Sequence, residues 1–138
     1  DQRDLGRIGR VMRDYEHSEL TRQIIGAAIE IHRHLGPGLL ESTYESCLVY
    51  ELEKLGLAVQ RQVALPVVYK ELQLPKAYRI DLLVNDQIVV ELKAVDNILP
   101  VHEAQVLSYL KLSQLKVGLL LNFHVKMMKD GVRRFALK

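Results

Sequence analysis

Two apolar, strand-like runs, Ala77 to Val84 and Ile88 to Val95, carry ionisable groups in their midst: Asp81, then Glu91-Leu92-Lys93. No other feature constrains the fold as strongly. A core strand rarely carries an ionised group, because taking a charge out of water is costly unless something compensates it. Two carboxylates and a lysine grouped there point to a site that holds a divalent cation.

Side chains alternate along a strand, so Glu91 and Lys93 project to the same side. Whether Asp81 joins them depends on the hairpin register. A two-residue turn at Asn85-Asp86 pairs Asp81 with Val90 and sends Asp81 and Glu91 to opposite faces. A three-residue loop, Asn85-Asp86-Gln87, pairs Val84 with Ile88 and Asp81 with Glu91. In that second register Ile80, Leu82 and Val84 share a face with Ile88, Val90 and Leu92, all apolar. In the first register the same three residues face Gln87, Glu91 and Lys93. The apolar pattern therefore predicts the three-residue loop. It gathers Arg79, Asp81, Glu91 and Lys93 on the other face, beside Leu83 and Val89.

Adjacent like charges on paired strands destabilise a sheet, and a bound cation reverses that penalty. Magnesium, with manganese as its substitute, takes oxygen ligands and is often held by one or two carboxylates plus water and substrate phosphate. Lys93 would then orient a water or stabilise developing negative charge. On spacing alone, a solvent-exposed ion-pair ladder of Asp81 or Glu91 with Arg79 or Lys93 explains the same residues equally well.

The 138 residues fit one domain, 1–138, with residues 1–17 as an arginine-rich arm or short helix. No apolar run approaches the roughly 20 residues of a membrane helix, and no secretory pattern opens the sequence. The single cysteine, Cys47, excludes an intramolecular disulfide and a four-cysteine metal site. A cytoplasmic protein with no membrane contact is the expectation. Charge is uneven: residues 35–107 hold ten acids against six bases, while residues 108–138 hold seven bases against Asp130 alone. A basic end beside an acidic centre suits a phosphate-binding protein with a metal site, although a solvated basic surface shows the same pattern.

Apolar residues Leu20, Ile24, Ala27, Ala28, Ile31 and Leu35 recur at helical spacing from about Ser18, and Gly36-Pro37-Gly38 stops that helix. A second helix is expected from Leu40 to Leu55. Leu57 to Tyr69 reads as a strand interrupted at Pro66, since proline cannot donate to a central ladder. A turn within Lys70 to Lys76 precedes the two charged strands. A helix from Pro100 to Leu115, a buried strand from Val117 to Phe123 and an edge strand from Val132 to Leu137 complete the chain. The order α-α-β-β-β-α-β-β predicts an α/β fold: a mixed central sheet flanked by helices.

Asp81, followed on the next strand by Glu91-x-Lys93, resembles the PD-(D/E)XK nuclease superfamily, whose restriction-endonuclease-like core has this element order. Gly38-Leu39-Leu40-Glu41-Ser42-Thr43-Tyr44 resembles the motif that names the GxxExxY proteins, a compact branch of that superfamily. Gln105-Val106-Leu107-Ser108-Tyr109 is similar to the QxxxY motif of its RecB-like and lambda-exonuclease-like members. Ile80 stands where many members have proline.

The resemblance runs from about Ser18 to the end. It implies metal ligation by Asp81, Glu91 and the Leu92 carbonyl, a catalytic Lys93, and Glu41 as an acidic group holding water or a second metal. Gln105 and Tyr109, four apart on one helix face, would place the substrate backbone. The implied activity is magnesium-dependent hydrolysis of phosphodiester bonds, in DNA before RNA, and a homodimer is one arrangement the family allows. Two alternatives stay open: a nucleic-acid-binding module with weak or no catalysis, and a protein-interaction domain.

Arg79 beside Asp81, Tyr44 one turn after Glu41, and His102 at the start of the Gln105 helix are further candidates for placing substrate. Packing for Tyr44 and capping for His102 are their structural alternatives. His32 and His34 are two apart on a helix and face apart, so they form no zinc pair. Cys47 reads as a core residue. Gly36-Pro37-Gly38 lacks the Lys-Ser/Thr of a phosphate-binding loop.

Overall fold

The computed structural model describes residues 2–137, with side chains from His17 onward. Helix α1 spans Gln2–Leu35, so it begins well before Ser18 rather than after a separate arm. It stops where Gly36 turns to φ +67° and donates its N–H to the His32 carbonyl at 2.8 Å. Helix α2, Glu41–Lys54, ends in a left-handed Gly56 at φ +81°. Then come strands β1 (Val59–Tyr69), β2 (Leu72–Val84) and β3 (Ile88–Lys93), helix α3 (Pro100–Ser113), strand β4 (Val117–Asn122), a 3₁₀ turn at Met128–Gly131 and strand β5 (Val132–Ala136).

The sheet order is β1-β2-β3-β4-β5. All neighbours are antiparallel except β3 and β4, which run parallel because α3 carries the chain back across the sheet. This is the expected mixed sheet flanked by helices.

Two local departures refine the expected strands. The turn after β1 is only Lys70-Glu71, with Tyr69 paired to Leu72, so β2 starts before Ala77. The β1–β2 register then shifts between Leu65 and Val67, where Pro66 lies opposite the stretch that contains Pro75. Neither proline has an N–H to give the ladder, so the pairing yields there.

The sheet is covered on both faces. Ile24, Leu48, Leu52, Leu82, Val90 and Leu121 join α1 and α2 to one face. Leu65, Ile80, Val89, Val106, Leu110 and Leu120 join α3 to the other. Burial on both faces explains why β4 reads as a continuous apolar run. Within it, a Cβ on Gly118 would lie 2.9 Å from the Val106 Cγ1, so glycine lets α3 approach the sheet.

Candidate metal and phosphodiester site

The three-residue loop forms: Val84 pairs with Ile88, Leu83 with Val89 and Leu82 with Val90. Pairing stops one step later. Instead of a backbone bridge at Asp81 and Glu91, each carboxylate takes the opposite strand's backbone hydrogen. The Leu92 N–H donates to Asp81 Oδ2 at 2.9 Å, and the Asp81 N–H donates to Glu91 Oε1 at 3.0 Å.

The expected single apolar face is corrected at the same point. Leu82 and Val84 pack toward α1 and α2, but Ile80 packs toward α3. Residues two apart on a regular strand share a face, so β2 changes face at Asp81. Strand β1 does the same opposite it. Arg61 reaches Glu45 and Ser46 on α2, whereas Val63 packs in the α3 cluster. Between them Gln62 sits at φ +52°, a left-handed conformation unusual for a residue with a side chain. Such strain gathers at functional sites.

A pocket of about 180 Å³ opens there, walled by Glu41, Ser42, Glu45, Gln62, Asp81 and Leu92. Glu41 opens α2, and its Oε1 accepts the Ala94 N–H at 3.2 Å, tying the helix to the end of β3. Glu45 lies one turn further and is buried, held by Gln62 Nε2 at 2.7 Å and Arg61 Nη2 at 3.3 Å. Lys93 ends β3 beside Asn122 of β4, and its carbonyl accepts the Phe123 N–H at 2.9 Å. Asn122 is buried and holds Val95 through both its N–H and its carbonyl.

Burial and the neighbouring Asp81 charge push the Glu91 carboxyl up to about 9, and Lys93 offsets this only in part. Two carboxylates this close cannot both ionise cheaply without a cation. The Asp81 and Glu91 side chains offer hard oxygen donors, the chemistry that suits a hard divalent cation. Among the described residues no three His, Cys, Asp or Glu side chains converge as a metal cage, so Glu41 shares the pocket without closing a three-carboxylate set.

Gln105 and Tyr109 do share one α3 face and line a common cleft. Tyr109 packs with Ile80 and Val89 on the α3 side of the sheet, and its phenol is pushed up by burial first and then by the Glu91 and Asp81 charges. Three candidates fall elsewhere. Tyr44 is fully buried: its hydroxyl donates to the Gly36 carbonyl at 2.5 Å and accepts the Leu39 N–H at 3.2 Å, so it braces the glycine loop instead of bonding within the site. His102 Nδ1 accepts the Leu99 N–H at 3.0 Å and caps α3. Arg79 is exposed and is not among the pocket walls, because the face change at Asp81 separates it from Glu91.

Glu45, Gln62 and Asn122 were missed. Glu45 was within reach of sequence reasoning, since it lies four residues after Glu41 and shares its helix face. Nothing in the sequence marks Gln62 as left-handed or Asn122 as a clamp.

The fold and this pocket together define a restriction-endonuclease-like domain. A family model of the PD-(D/E)XK nuclease superfamily matches residues 18–135, and the chain belongs to that superfamily. No curated protein and no solved structure gives a significant match. Nucleases of the superfamily use divalent metal ions and act on nucleic acid. Among the described residues no helix is long and apolar enough to cross a membrane.

Proposed function

We propose that the chain is a magnesium-dependent nuclease of the GxxExxY branch, hydrolysing phosphodiester bonds in DNA. The observation that carries this reading is the Asp81–Glu91 pair: a buried Glu91 and a half-buried Asp81 held by reciprocal backbone hydrogen bonds, with the Glu91 carboxyl pushed up to about 9. Such a pair is costly to the fold alone and favourable around a cation. Asp81, Glu91 and the Leu92 carbonyl would hold the ion. When bound, magnesium or manganese lowers the pKa of a water and offsets charge on the scissile phosphate.

The chain's own residues do the rest. Lys93 donates a hydrogen bond to the attacking water and adds positive charge where the phosphoryl oxygens become more negative. Glu41, anchored by Ala94, orients water on the α2 side of the pocket. Gln105 and Tyr109 hold the substrate backbone at the α3 side. The test is hydrolysis of labelled DNA with magnesium. The parent should cut, while Asp81→Asn and Lys93→Ala should not. Equal cutting by all three overturns the assignment.

A further inference from the structure

The distal half of the β1–β2 hairpin leaves an apolar cleft between itself and α3. Val67, Tyr78, Val101, Ala104 and Leu112 wall it, around about 560 Å³. A second hollow of about 530 Å³ runs over Leu74 and Pro75 and shares Val67 and Tyr78 with the first. Tyr78 is therefore a ridge between two hollows, 48% exposed. Its ring is tilted 48° against Tyr109 at a centroid distance of 5.8 Å. An apolar patch of this kind on a surface marks a binding site.

Three observations select the occupant. The charged side chains in the two hollows are Lys76 and Lys111, with no carboxylate among the described walls. Aromatic and hydrogen-bonding groups interleave there, since Gln105 and Ser108 lie beside Tyr78 and Tyr109. The cleft also lies on the carboxylate side of the α3 face, because Tyr109 belongs to its wall and packs in one cluster with Ile80, next to Asp81, and Val89, two residues before Glu91. A purely apolar partner has no use for the lysines. Unpaired nucleotides use everything present: bases stack on aromatic faces and phosphates pair with cations. A duplex keeps its bases inside the stack and offers the ridge nothing to grip.

We infer that this cleft binds unpaired nucleotides of a nucleic acid, with a base stacked on Tyr78 and the flanking phosphates held by Lys76 and Lys111. The inference rests on the nuclease reading and deepens it: the strand that reaches Asp81 and Glu91 does so single-stranded.

The experiment is anisotropy of a labelled oligothymidylate, and of its duplex with oligoadenylate, in the presence of a metal chelator so that nothing is cut. The parent should bind the single strand more tightly than the duplex. Tyr78→Ala should weaken single-strand binding about tenfold or more, and Tyr78→Phe should restore it. Lys76→Gln with Lys111→Gln should lower the salt dependence of binding. Unchanged binding by Tyr78→Ala, or a preference for duplex, overturns the inference. So does a Tyr78→Ala protein that loses a dimer in sedimentation while binding the oligonucleotide as the parent does, since the cleft then belongs to a second copy.

The sequence has no tryptophan, so Tyr78→Trp supplies a clean reporter. Stacking should quench its emission, and unchanged emission at saturation counts against the site. Binding is read without metal. Intact binding with dead Asp81→Asn supports the nuclease reading separately, and lost Tyr78 dependence leaves that reading standing.

Discussion

Asp81 and Glu91 exchange backbone hydrogens across the hairpin: Asp81 Oδ2 accepts from Leu92 at 2.9 Å while Glu91 Oε1 accepts from Asp81 at 3.0 Å. The exchange takes the place of the next rung of the ladder. Each carboxylate keeps one oxygen committed to the opposite strand's backbone, which holds its side chain in place. Both backbone donors that the next rung would have used are thereby satisfied, so the strands can part here without leaving those two donors unpaired.

The metal-free protein should lose stability as pH rises. Folded Glu91 is raised from the ordinary 4.5 to about 9. Between those values the folded chain keeps a proton that the unfolded chain has released, so unfolding becomes easier with each step up in pH. The stabilisation is fully present below about 4.5 and is lost on passing through about 9. Glu91→Gln keeps an oxygen acceptor for the Asp81 N–H without the ionisable proton. Thermal melts in chelator should fall from acid to alkaline pH in the parent and stay nearly flat in Glu91→Gln. Near neutral pH the variant should be the more stable by on the order of 2 kcal/mol, and inactive.

Magnesium binding should release close to one proton at neutral pH. An ion entering the pair must displace the proton that Glu91 retains up to about 9. Calorimetric titrations in buffers of different ionisation enthalpy should show that release, and affinity should rise with pH. Lys93→Ala should bind the ion as the parent does yet lose at least about 100-fold in hydrolysis, whereas Asp81→Asn should lose both. Equal loss of ion binding in the two variants would place Lys93 in a structural role.

How far these features were legible follows from their range. The hairpin loop was, because six residues with a period of two decide it locally, and Val84 does meet Ile88. The helix stops at Gly36 and Gly56 were legible for the same reason. The face change was not. It depends on Gln62, a residue with no left-handed preference, lying opposite Asp81 on a neighbouring strand. Tyr44 illustrates the converse. Its spacing from Glu41 places both on one side of α2, yet spacing cannot say that the ring stacks on Phe123 at 4.3 Å, which draws its hydroxyl to the glycine loop and away from the pocket.

Tyr44→Phe should therefore damage the fold and spare the chemistry. The ring and its stack on Phe123 remain, but the Gly36 carbonyl and the Leu39 N–H lose their partner. Both bonds lie on a half-buried loop, so losing them costs about 0.5–1.5 kcal/mol. Denaturant melts should show a loss of that order, while the hydrolysis rate below the melting transition should match the parent. A large fall in kcat without a fall in stability would return Tyr44 to the site.

Asn122 should act on catalysis through Lys93. It is 2% exposed, its Oδ1 accepts the Val95 N–H at 3.1 Å and the His124 N–H at 3.2 Å, and its Nδ2 donates to the Val95 carbonyl at 2.9 Å. These bonds pin the chain just beyond Lys93, which is itself the β4 partner of Asn122. Asn122→Ala strands several backbone groups in the interior, and a loss of roughly 2–4 kcal/mol should follow. The looser anchor also lets the Lys93 ammonium wander, and misplacing a reacting group by about 1 Å costs on the order of 100-fold in rate. At a temperature where the variant is folded, kcat should fall steeply while KM and magnesium affinity stay near the parent values, because Asp81 and Glu91 hold each other without help from Asn122. Loss of stability with an unchanged kcat would confine Asn122 to the fold.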